Sequence, residues 1–164
     1  MSAIPITKNP LLDKEFINAF IDGVCKTLST MAQTEVGCGK PFVEKTSHRR
    51  GDVAGVVGMV ATPMRGTLVI SFPKEAIFLI IQNMIGETHT EVSSEVADAV
   101  GELTNMIYGS AKTSLNQRGY KFDMAIPTVV RGDFIVSKGE SGATLVVPFI
   151  LKNKSEFYVE LTVT

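Results

Sequence analysis

The stretch "VAGVVGMVATPMRGTLVISFPKEAIFLIIQNMIG", Val53 to Gly86, decides the fold. It reads as two strands followed by a helix. "VAGVVGMVA" is β-branched and rich in glycine, "TPMRG" carries the proline and glycine of a turn, and "TLVISF" is a second strand. Pro73 suits a helix opening, "KEAIFLIIQNMI" continues the helix, and Gly86 stops it. The apolar density of that helix predicts burial on most of its sides.

Upstream, residues 10–35 read as an amphipathic helix. Asn9 is a good N-cap and Pro10 fits the first helical position. Leu12, Phe16, Phe20, Val24, Leu28 and Met31 recur at three- and four-residue steps, forming an apolar stripe that Gly37 and Gly39 bring to an end. "PFVEKT" is a short strand and "HRRGD" a turn. Downstream, Ser93 or Ser94 caps a helix that has Glu95 in its first turn and runs to about Gln117, with Gly119 ending it. "MAIPTVV" and "FIVS" read as strands and "KGESG" as a turn; "ATLVVPFIL" and "FYVELTV" form a hairpin across "KNKSE". The order is helix, three strands, helix, then helix and three or four strands. Without any literal repeat, this predicts one α+β domain over residues 1–164. An antiparallel sheet carries long helices on one face, in two pseudo-symmetric helix-then-strands halves.

The totals narrow the function classes. With 164 residues and 45% hydrophobic content, the chain can build a real core. A net charge of −1 gives no general electrostatic reason to bind nucleic acid or an anionic membrane. "MSAIPITKNP" lacks a basic segment followed by an apolar run, and "AIFLII" is too short to span a bilayer, so a cytoplasmic location is expected. Cys25 falls on the apolar face of the first helix and reads as a small buried side chain; Cys38 falls in a loop, and zinc spacing is absent. His48 and His89 have no carboxylate or second histidine at ligand spacing, so both read as surface residues and no metal site is expected.

The long helix from Ser94 carries "DAVGELTNMIYG", Asp98 to Gly109. At about 100° per residue, Asp98, Glu102, Asn105 and Gly109 fall on one narrow stripe. Leu103, Ile107, Ser110 and Ser114 cluster opposite with Val96 and Val100 and are expected to pack on the sheet, leaving the stripe to solvent. Asparagine is a mediocre helix former, and Gly101 and Gly109 remove side-chain bulk where a visitor would touch. Small residues beside a carboxylate and an amide describe a docking surface with one functional pair. No Ser/His or Cys/His arrangement accompanies it, which sets nucleophilic catalysis aside. A carboxamide can donate to and accept from one water at once, and an oriented water is what phosphoryl hydrolysis requires. A glutamate beside it could anchor the lysine of a partner's phosphate site. Such a protein completes another protein's active site.

"DAVGELTNMIYGSAK" followed by "AIPTVVRG" resembles the CheC/CheX/FliY family of chemotaxis phosphatases, most closely its CheX members. The family signature is an acidic residue or serine, then E-x-x-N, then a proline a little over twenty residues on, here Asp98, Glu102, Asn105 and Pro127. Val130 and Gly132 fit the run after the proline, and "INAFIDG" and "GTLVISF" are similar as well. The resemblance implies hydrolysis of the aspartyl phosphate of a CheY-like response regulator. Asn105 would hold the attacking water and Glu102 would pair with the regulator's lysine, with Asp98, Gly101 and Gly109 as partner-binding positions. It further implies that Mg²⁺ belongs to the regulator, that the protein needs no cofactor of its own, and that it forms a homodimer through sheet edges, for which one of the C-terminal strands could serve. A second E-x-x-N at Glu15 and Asn18 has Leu11 in the acidic place and the bulky Phe20 and Ile21 beside it, and reads as plain helix surface. Two other readings stay open: a non-catalytic module that binds a response regulator or flagellar switch component, and a structural domain whose polar stripe is only solvated.

Overall fold

The computed structural model describes residues 10–46, 48–61, 64–132 and 143–163. In chain order the elements are α1 (Lys14–Met31), β1 (Gly37–Cys38), β2 (Phe42–Glu44), β3 (Val53–Ala61), β4 (Met64–Phe72), α2 (Lys74–Ile85), α3 (Ser94–Gln117), β5 (Thr128–Arg131), β6 (Thr144–Ile150) and β7 (Glu156–Val163). Residues 53–86 hold β3, β4 and α2. β3 and β4 pair along their whole length, from Val53 opposite Phe72 to Ala61 opposite Met64. Gly86 closes α2 in the left-handed conformation that favours glycine, with φ of 74°.

Among the described residues all pairings are antiparallel, and the strands lie in the order β1-β6-β7-β4-β3-β5, with β2 beside β1 on the outer side of β6. The order is symmetric about the β7–β4 contact. Each half supplies a long hairpin, β3–β4 or β6–β7, and each lends its preceding short strand to the other half's hairpin: β2 to β6, and β5 to β3. The predicted α+β class and pseudo-symmetric antiparallel sheet are what the chain forms.

Alternate strand residues face one core beneath the helices. A row of rings crosses three strands there: Phe72 stacks on Phe157 at 5.1 Å, and Phe157 on Phe149 at 5.2 Å. On the far face the Arg50 guanidinium pairs with Glu44 and Glu160 and lies over the rings of Phe42 and Tyr158, tying the segment before β3 to the sheet.

Several boundaries differ from the sequence reading. α1 begins at Lys14 because the Asp13 carboxylate accepts from the Glu15 N–H at 2.9 Å, while Pro10–Leu12 form only a 3-10 turn; Asn9 lies outside the described residues. The helix ends at Met31, ahead of Gly37, and Met31 itself is 54% exposed where the stripe predicted burial. Cys38 belongs to β1, not to a loop, and Cys25 is half-buried, with burial pushing its thiol up. Of "MAIPTVV" only the part from Thr128 onward is strand, since Pro127 has no N–H to give a ladder. β6 and β7 are interior strands, so neither of the C-terminal pair offers the free edge expected of it. "FIVS" and most of "KGESG" lie outside the described residues.

Candidate functional site

α3 is 24 residues long and is positioned by its buried side. Ser93 caps it, its hydroxyl accepting from the Val96 N–H at 3.3 Å. Val96, Val100, Leu103, Thr104, Ile107, Tyr108, Ala111 and Leu115 are buried. Ser110 and Ser114, expected on the sheet, instead line a groove between α1 and α3. The helix lies close to the sheet at Gly55 of β3, where a Cβ would fall 2.7 Å from Thr104 Cβ and collide with the Thr104 hydroxyl. That hydroxyl donates to the Val100 carbonyl at 2.7 Å, satisfying a polar group in a wholly buried place.

With one side of α3 fixed in this way, Asp98, Glu102 and Asn105 are exposed on the other. They line an open groove of about 510 Å³ with Ala97, Gly101, Ile126, Pro127 and Val129. Pro127, some twenty residues along the chain from Asn105, thus forms the opposite wall. Gly101 has a packing reason beyond access for a visitor: a Cβ there would press to 3.3 Å on Val129 Cγ2. A Cβ at Gly109 would meet open space, but Gly109 lines the α1–α3 groove and not the one holding Asn105. The structure therefore brings Asp98, Gly101, Glu102, Asn105 and Pro127 together and leaves Gly109 outside.

The groove's far wall is a held segment. Asn116 brackets Phe122, its Nδ2 donating to the Phe122 carbonyl at 3.3 Å while its Oδ1 accepts from the Phe122 N–H at 2.8 Å. The Tyr108 hydroxyl donates to the Asp123 carbonyl at 2.8 Å, and the Asp123 N–H donates to the Val60 carbonyl at 3.0 Å. Burial, with the Asp123 carboxylate adding to it, pushes the Tyr108 phenol up and keeps it a donor. From Thr128 the chain pairs with β3. Ile126, a wall residue that the sequence reading did not single out, is 91% exposed.

Elsewhere, Glu15 of the second E-x-x-N is held by Arg118 at 2.5 Å, consistent with a surface helix position. Both histidines do have carboxylate neighbours, contrary to expectation. His48 Nδ1 lies 3.1 Å from Glu44 Oε2, and His89 Nε2 lies 3.3 Å from Glu87 Oε2. Glu87, His89 and Glu95 bring three ligand-type atoms within 4.8 Å of one another, and none of the three lines the Asn105 groove. Among the described residues, no helix is long and apolar enough to cross a membrane.

The family model described as chemotaxis phosphatase CheX matches residues 53–150, a span that includes β3 and all of α3. The CheY-P phosphatase CheX of Thermotoga maritima is 29% identical over 156 residues, covering 93% of this chain and 97% of that protein. A CheC-like superfamily protein from Shewanella sp. PV-4 has a crystal structure that matches with a TM-score of 0.86 at 38% identity, covering 93% of this chain and 99% of that one. A chain of the CheX–CheY–BeF3–Mg²⁺ complex from Borrelia burgdorferi shares the fold, with a TM-score of 0.75 at 24% identity over 90% of this chain and 97% of that one. The match runs over more than half of the sequence and over the helix that carries Glu102 and Asn105, and the chain belongs to the CheX family of chemotaxis phosphatases.

Proposed function

We propose that this protein hydrolyses the aspartyl phosphate of a CheY-like receiver domain, with Asn105 positioning the attacking water and Glu102 docking on the partner. One observation carries the reading. The amide and the carboxylate stand exposed, one helical turn apart on a groove wall, on a helix whose other side is buried along its length. A relative that covers nearly the whole chain is a CheY-P phosphatase, which supports the choice of substrate. In the proposed reaction the Asn105 carboxamide accepts from one proton of a water, or donates to its oxygen, and aims a lone pair at phosphorus opposite the aspartyl oxygen. The new P–O bond forms as the acyl-phosphate P–O bond breaks; the aspartate leaves as a carboxylate and inorganic phosphate departs. Glu102 would pair with a lysine of the receiver's phosphate site and set the register of docking. Mg²⁺, on this reading, resides in the receiver, and this chain's residues act on water and on the partner only.

The test is phosphate release from a panel of phosphorylated receiver domains. Added protein is expected to speed the loss. Asn105→Ala should cut kcat by about 10²-fold, the order seen when one positioned polar group is removed from a reacting centre, while binding survives. Full activity in Asn105→Ala would overturn the water-positioning role. Complex formation with no faster loss would show a sequestering module instead. A homodimer joined at sheet edges is also proposed: β2 has no second strand neighbour among the described residues, and its Val43 is 62% exposed.

A further inference from the structure

We infer that Met124 and Ile126 form an apolar ridge on which the phosphorylated receiver domain seats itself beside Asn105, an inference that rests on the phosphatase reading above. The two side chains are 89% and 91% exposed, the largest exposures among the large apolar residues that the structure describes. Their exposure is imposed by the backbone. The segment is tied down before them, at Phe122 and Asp123, and after them, where Thr128 enters β5. Between these anchors the burial alternates: Met124 and Ile126 face outward while Ala125 and Pro127 are half-buried. Two apolar side chains are thus presented on one side of a fixed strut.

The occupant follows from where the ridge lies. Ile126 is itself part of the groove that holds Asp98, Glu102 and Asn105, so any surface resting on the ridge also covers the amide. A second copy of this chain there would close the groove to its substrate, whereas a receiver must occupy that position to bring its phosphoryl group to Asn105. The polar members of the groove cannot supply the affinity alone, because ion pairs between exposed groups contribute little net attraction in water. Binding energy in interfaces concentrates in large side chains that lose their contact with water, and methionine adapts to partners of varied shape. The walls therefore divide the work: α3 supplies the water-positioning amide and the carboxylate that sets the register, and the opposite wall supplies the apolar grip.

The experiment is a comparison of the full chain with Met124→Ser/Ile126→Ser, using a CheY-type receiver domain. Phosphate loss is followed against receiver concentration, and binding is measured separately with the beryllofluoride-activated receiver. The double variant should raise KM and the dissociation constant tenfold or more, with kcat at saturating receiver within about twofold of the parent. Met124→Leu/Ile126→Val should restore both constants. The parent thermal midpoint should be kept in both, since neither side chain is in the core. Hydrolysis by the parent with unchanged affinity in the double variant would overturn the ridge and leave the phosphatase reading standing. No hydrolysis by the parent, with affinity lost in the double variant, would overturn the phosphatase reading and leave the ridge.

Discussion

Glu102 and Asn105 were legible as a pair because a helix places residues three apart on one face and because asparagine, a mediocre helix former, is not a natural choice for mere solvation beside two glycines. Of the segment across the groove, Pro127 came with the family signature, but the exposed side chains just before it were not legible. In "MAIPTVV" the alternation of apolar residues is what a strand would show, and nothing local says that Met124 and Ile126 point at solvent. That follows from bonds made by Asn116 and Tyr108, side chains from another element. Gly101 and Gly109 looked equivalent in the sequence. One is kept small by Val129 as well as by the groove, and the other belongs to a different groove altogether. At this scale Glu102 gives a separable prediction. Glu102→Gln keeps the shape and loses the charge, so an electrostatic docking role predicts a higher KM, about threefold to tenfold, with kcat changed less. The parent's advantage should shrink as salt is raised from 50 to about 500 mM, because exposed charges are screened within a Debye length. Steady-state kinetics at the two salt concentrations would show it, and a kcat loss as large as that of Asn105→Ala would mean that Glu102 acts in the chemical step.

Among the elements, the long periodic ones were readable and the short ones were not. β3 came out at its expected ends and α3 very nearly so, because hydrophobic period, caps and glycine stops agree there. β1 has two residues and no pattern of its own; it exists only because β6 offers Phe149 and Ile150 to pair with. The glycines of β3 could be read as weakening the strand. One of them is what lets α3 sit down on the sheet. Gly55→Ala should therefore destabilise the fold by about 1–3 kcal/mol, the usual cost of overpacking, and the same displacement of α3 should weaken receiver turnover. The partner is specific: Thr104→Ala combined with Gly55→Ala should recover part of the loss, a coupling that a double-mutant cycle of chemical denaturation would measure. Additive effects would mean that the strand, and not the helix contact, is what the alanine disturbs.

At the scale of the whole molecule the class of fold followed from the order of elements, and the sheet order did not. Hydrophobic periodicity says that strands exist and which faces they bury, but not which neighbour each one chooses. Nothing in "PFVEKT" announces a partner about a hundred residues away, yet Phe42 lies opposite Val146, just as Val130 lies opposite Ala54. The reciprocal loan of β2 and β5 means that each hairpin is completed by the other half of the chain. A polypeptide cut in the connection between α2 and α3, at Thr88, should therefore give two pieces that fold poorly when alone. Mixed, they should reassemble into one sheet with restored circular dichroism and, if the helix face is intact, restored activity. The molecule is in effect two interlocked clasps, and the join between them is a natural place to build a reporter that lights up only when both pieces meet.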